Sequence, residues 1–96
     1  MSREEILGVL RQFKENNRTK YHIIKIGIFG SAAHDNMKSQ SDIDVVVELE
    51  QQNLMNIIGI KQDLEEQFAI SVDVVSYREK MNQFLKQRID RDAIYV

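Results

Sequence analysis

The chain has 96 residues, a net charge of −2 and ordinary shares of apolar (43%) and charged (29%) residues; these point to one globular domain spanning residues 1–96 and argue against a disordered chain or a broadly basic nucleic-acid binder. It has no cysteine, which excludes disulfides, thiolate metal sites and cysteine nucleophiles, and no proline, which removes the strongest helix breaker. No apolar run reaches the roughly 20 residues that span a bilayer, and the opening MSREEILGVLRQF is too charged for a signal peptide, so the expectation is a soluble cytoplasmic protein with no membrane partner.

Ser2 and Glu5 have the spacing of a capping box, and Ile6, Leu7, Leu10 and Phe13 recur at helical intervals, predicting a helix that ends near Asn16. NNRTK then reads as a loop. In YHIIKIGIFG, Ile24, Ile26 and Ile28 alternate against Ile23, Lys25, Gly27 and Phe29, which predicts a largely buried strand ended by Gly30, with His22 at its edge. Ser31 to His34 can form one short helical turn, and the residues after it read as polar loop. DIDVVVELE is a second strand, with Ile43, Val45, Val47 and Leu49 on one face and Asp42, Asp44, Val46 and Glu48 on the other.

Leu54 to Phe68 is a second helix with Ile57, Ile60, Leu64 and Phe68 on a stripe, although Gly59 within it costs about 1 kcal/mol relative to alanine. AISVDVVSY is a third strand. Ser76 and Glu79 suggest another capping box, opening a last helix that turns Met81, Phe84, Leu85 and Ile89 inward. AIYV closes the sequence as an apolar tail. The fold class is therefore α/β (α+β), a small sheet with helices packed on it. The link between the first two strands is about ten residues and lacks a crossover helix, so antiparallel pairing there and a mixed sheet overall are expected.

Asp42 and Asp44 lie two apart on a strand and leave the same face, about 6.5–7 Å apart at Cα. Two adjacent anions repel unless positive charge lies between them. No lysine or arginine flanks the pair in sequence, and a divalent cation such as Mg²⁺, which favours carboxylates together with substrate phosphates, is the natural compensator. Asp73 interrupts a valine-rich strand, where an unpaired carboxylate is costly. If that strand lies beside the second, Asp73 joins the cluster, and three carboxylates can hold two metal ions. Otherwise it caps a turn or pairs with Lys25 or Arg78. Gly30 allows close approach to a phosphate, and Ser31 opens a turn whose free N–H groups favour an anion. A phosphate-holding bend facing a carboxylate pair suits phosphoryl or nucleotidyl transfer. The mixed charges of the last helix, Lys80, Lys86, Arg88 and Arg91 among Glu79, Asp90 and Asp92, read as a solvated face.

Gly30-Ser31 followed, eleven positions after Ser31, by Asp42-x-Asp44 in SDIDVVVE resembles the nucleotidyltransferase superfamily with the DNA polymerase β-like fold, and within it the minimal nucleotidyltransferase (MNT) branch. The resemblance covers nearly the whole chain. It implies Gly30 and Ser31 as nucleotide-binding residues, Asp42, Asp44 and Asp73 as catalytic and metal-binding residues, Mg²⁺ (one or two ions) as cofactor and ATP as donor. It further implies an antitoxin whose partner is a helical HEPN-family ribonuclease toxin, with AMP transferred to a tyrosine of that toxin. The branch often continues Gly-Ser with an alanine-arginine-glycine element; here the residues are Ala32, Ala33, His34 and Asp35, so His34 stands where a phosphate-binding arginine is expected.

Three readings follow from the residues together with what the resemblance implies. The first is a Mg²⁺-dependent enzyme that moves AMP to a partner hydroxyl. The second is an MNT-fold antitoxin that neutralises its partner by binding alone, with the carboxylates idle. The third, disfavoured by the short chain, is a free-standing transferase for a small molecule or RNA end. Assembly as a homodimer is compatible with all three.

Overall fold

A computed structural model describes residues 1–34 and 42–96. Helix α1 (Arg3–Tyr21) opens with the expected reciprocal cap: the Glu5 amide donates to Ser2 Oγ (3.2 Å) and the Ser2 amide donates to Glu5 Oε1 (3.1 Å). The stripe Ile6, Leu7, Leu10 and Phe13 is buried. The helix does not stop at Asn16 but includes NNRTK. Nothing in that stretch breaks a helix, Arg18 and Lys20 complement the negative end of the helix dipole, and buried Tyr21, stacked on Phe13 at 6.2 Å, anchors the last turn. His22 ends it in the left-handed region (φ 57°), with its N–H donating to the Arg18 carbonyl.

Strand β1 (Ile23–Phe29) pairs antiparallel with β2 (Ile43–Leu49), as the short link implies. An irregularity between Ile23 and Lys25 shifts the register, so Ile23 turns inward (3% exposed) and Ile24 outward (44%), the reverse of simple alternation. Asp42 lies just outside β2 rather than within it. Helix α2 (Leu54–Phe68) has the predicted bounds and is capped by Asn53, whose side chain accepts from Met55 N at 2.9 Å. Gly59 has a packing reason: a Cβ there would lie 2.9 Å from the hydroxyl of buried Tyr21, which itself donates to Asp63 at 2.6 Å.

Strand β3 (Val72–Ser76) runs parallel to β2. Two α2 side chains seize its outer edge: Glu65 Oε2 accepts from Val72 N (3.0 Å), and Lys61 Nζ donates to Val72 O (2.6 Å). The capping box proposed at Ser76 and Glu79 does not form. Ser76 ends β3 with its hydroxyl donating to Gln52 Oε1 (2.5 Å), and Tyr77 N extends the pairing to Val47 O (2.8 Å). Helix α3 (Gln83–Asp92) starts later, capped by Asn82. Its inward positions are then Leu85 and Ile89, which leaves Phe84 80% exposed rather than in the core, and Met81 precedes the helix. The terminal apolar residues form β4 (Ile94–Tyr95), antiparallel to β1.

The mixed sheet has the order β3-β2-β1-β4. The main core fills the face under α1 and α2, while a smaller cluster of Phe29, Val46 and Ile89 lies under α3 on the other. Covered on both faces, β2 carries Val45, Val46 and Val47 in succession, all fully buried. Among the described residues no helix is long and apolar enough to cross a membrane.

Candidate active site

The site gathers where β1 ends and β2 and β3 begin, on the α3 side of the sheet. Gly30 leaves β1 in the left-handed region (φ 69°), which favours glycine. Its carbonyl then accepts from Ala33 N (3.1 Å) and His34 N (3.3 Å), closing the short helical turn expected at Ser31–His34. Ala32 and Ala33 are buried in the main core, so this turn is pinned from beneath, and Arg3 Nη1 donates to the Ala33 carbonyl from the start of α1 (3.2 Å). Ser31 is half-buried beside Gly30.

Asp44 is the centre of the arrangement. In register it faces Phe29 of β1 on one side and Asp73 of β3 on the other. Neighbouring strands lie about 4.8 Å apart, and side chains paired across them leave the same face, so Asp44 and Asp73 stand side by side. This is the adjacency on which the sequence reading of Asp73 depends. Asp42, exposed, stands two residues before Asp44. The Asp44 carboxylate also lies against the Gly30 backbone, where a Cβ would be 2.5 Å from Oδ2.

The charges behave accordingly. Burial, then the negative charge of Asp73, push the Asp44 carboxyl above its ordinary value; Arg88 pulls it down and Asp42 pushes it up. Arg88 is the residue that sequence reasoning missed. It reaches down from α3, with Nη2 3.5 Å from the point where a Gly30 Cβ would be and its guanidinium 5.7 Å from the Phe29 ring centre. One signal was available: Arg88 is three residues after inward-facing Leu85, and residues so spaced share a helix face. Tyr77, whose hydroxyl donates to Asp90 Oδ1 at 2.7 Å, ties α3 to the loop before it and is itself pushed up to about 12 by that bond.

His34 is more than half exposed and turns toward the end of α3, with Nε2 3.4 Å from Asp92 Oδ1. Arg91 grips the same carboxylate through two bonds of 3.0 and 3.1 Å, holding Asp92 below its usual range. Asp35 lies outside the described residues. His22 belongs to the opposite end of the β1–β2 pair, where it faces Glu50 at 3.7 Å. Lys25, one proposed partner of Asp73, lies instead over the Tyr95 ring.

The sequence pattern of the nucleotidyltransferase domain family matches residues 10–96. The chain belongs to that family. This nucleotidyltransferase is 33% identical over 93 residues to MJ1217 of Methanocaldococcus jannaschii, a candidate protein adenylyltransferase by name; the match covers 96% of the chain and 95% of MJ1217. Its fold is that of a solved candidate minimal nucleotidyltransferase, with a TM-score of 0.77 at 26% identity over 98% of this chain and 95% of that one. A complex of tri-AMPylated HEPN toxin with MNT antitoxin from Shewanella oneidensis gives a TM-score of 0.71 at 18% identity, over 97% and 70% of the two chains, a likeness of fold alone. The resemblance read from Gly30-Ser31 and Asp42-x-Asp44 is thus borne out at the level of family and fold.

Proposed function

We propose that this nucleotidyltransferase moves AMP from ATP to a hydroxyl of a partner protein, a tyrosine of a HEPN-family toxin, and so acts as that toxin's antitoxin. The observation that carries the reading is the register of Asp44 beside Asp73, with Asp44 lodged against the Gly30 bend. The name of MJ1217 supports the adenylyl group, and the Shewanella oneidensis complex supports the partner.

The donor set suits Mg²⁺. It consists of carboxylate oxygens, and the repulsion felt by Asp44 is what a hard cation relieves. Among the described residues no three His, Cys, Asp or Glu side chains are grouped closely enough to hold a metal ion. Asp42, Asp44 and Asp73 would hold the metal, which when bound supplies charge compensation at the phosphates. The Gly30–Ser31 bend would bind the donor phosphates through its backbone. Asp73, at the exposed margin, would accept the proton of the tyrosine hydroxyl. The phenolic oxygen then bonds to the α-phosphorus, the bond between the α-phosphorus and the bridging oxygen breaks, and pyrophosphate leaves.

The test is incubation with ATP labelled at the α-phosphate, Mg²⁺ and the toxin. Label should appear on the toxin with the parent chain and be absent with Asp42→Asn/Asp44→Asn. No transfer by the parent, under conditions where a relative works, overturns the proposal. A second reading, inhibition by binding alone, draws on His34 occupying the expected arginine position while facing Asp92. It requires the double variant to protect cells as well as the parent does.

A further inference from the structure

We infer that Arg88 binds the phosphates of the donor nucleotide and supplies, from α3, the cationic fork that His34 does not provide next to Gly30-Ser31. The inference rests on the nucleotidyltransferase reading above and adds a residue to it.

Three observations meet on this side chain. Its Nη2 stands 3.5 Å from the Cβ position of Gly30, so the guanidinium hangs over the bend proposed to take the phosphates. Its charge acts on Asp44, which also touches Gly30, so the cation sits at the junction of the bend and the carboxylates. Its Cζ lies over the Phe29 ring, 5.7 Å from the ring centre. Of the other α3 cations, Arg91 is doubly bonded to Asp92, and Lys86 lies over the Tyr77 ring, 5.8 Å from its centre.

The chemistry favours arginine. Its planar fork matches two phosphate oxygens at once and stays charged at any working pH. An imidazole has no such fork to offer two phosphate oxygens.

Calorimetric titration of the full chain with a non-hydrolysable ATP analogue and Mg²⁺, and in parallel with adenosine, separates the possibilities. The parent should prefer the analogue strongly. Arg88→Ala should bind it about ten- to a hundredfold more weakly while binding adenosine as the parent does. Arg88→Lys, which keeps the charge but not the fork, should fall between. Because Arg88 is exposed, both variants should melt near the parent temperature; Arg88→Gln, matched in shape, repeats the test should alanine disturb α3. Equal analogue affinity in parent and variants, or equal losses for analogue and adenosine, overturns the role of Arg88. Failure of the parent itself to bind the analogue overturns the nucleotidyltransferase reading instead.

Discussion

Gly30→Ala tests the link between the bend and the carboxylates. The native φ of 69° is one that an L-residue enters at a cost of about 1–2 kcal/mol. The new methyl would also lie 2.5 Å from Asp44 Oδ2, too close for any real contact, so the carboxylate must swing aside at roughly 0.5–1.5 kcal/mol. For a domain of this size the sum lowers the melting temperature by on the order of 10 °C. The effect on transfer should be larger, because displacing a catalytic group by about 1 Å can cost a hundredfold in rate. Thermal unfolding followed by circular dichroism measures the first effect, and single-turnover transfer of labelled AMP to the toxin the second. The cycle with Asp44→Ala isolates the contact: without that carboxylate, Gly30→Ala should cost less by roughly 0.5–1.5 kcal/mol, leaving the backbone strain alone. The same cost in both backgrounds would refute the contact between Asp44 and the bend.

Two further outcomes follow from the charges. The raised Asp44 carboxyl means that the folded state holds its proton more tightly than the unfolded chain; its contribution to stability is therefore present below the unfolded value and lost as pH rises through the folded one. Asp44→Asn should thus gain on the parent over that rise and be the more stable of the two at neutral pH, while losing transfer, as urea titrations at a series of pH values and the labelling assay would reveal. Glu65 has the opposite sign, held below its ordinary value first by the Val72 N–H bond and then by Lys61. Its contribution is present above the unfolded value and lost as pH falls through the lowered one, and Glu65→Ala should speed hydrogen exchange at the Val72 amide and slow transfer.

Much of this architecture is legible because it is local. The Ser2–Glu5 cap, the Leu54–Phe68 stripe and the alternation along Ile43–Leu49 each depend on residues a few positions apart. The misreadings share a different cause. Ser76 and Glu79 have the spacing of a cap, yet pairing of Tyr77 N with Val47 O continues the strand past them, and Phe84 is left outside once α3 starts at Gln83. The length of α1 depends on Tyr21 docking under α2, and the inversion of Ile23 and Ile24 on a register shift against β2. At the site, the three aspartates announced themselves by interrupting or bordering valine-rich strands. Arg88 did not, because an arginine on a charged helix looks alike whether it faces water or a distant carboxylate.

The grip of Lys61 and Glu65 on Val72 has a consequence for the chemistry. A rim strand has neighbours on one side only and is the part of a sheet most able to slide. Sliding β3 by one position would set Val72 or Val74 opposite Asp44 and send Asp73 through to the face packed by α1 and α2, dismantling the acidic pair without unfolding anything. The two α2 side chains act as a detent against that slip, so losing either can part Asp73 from Asp44 while the molecule still looks whole.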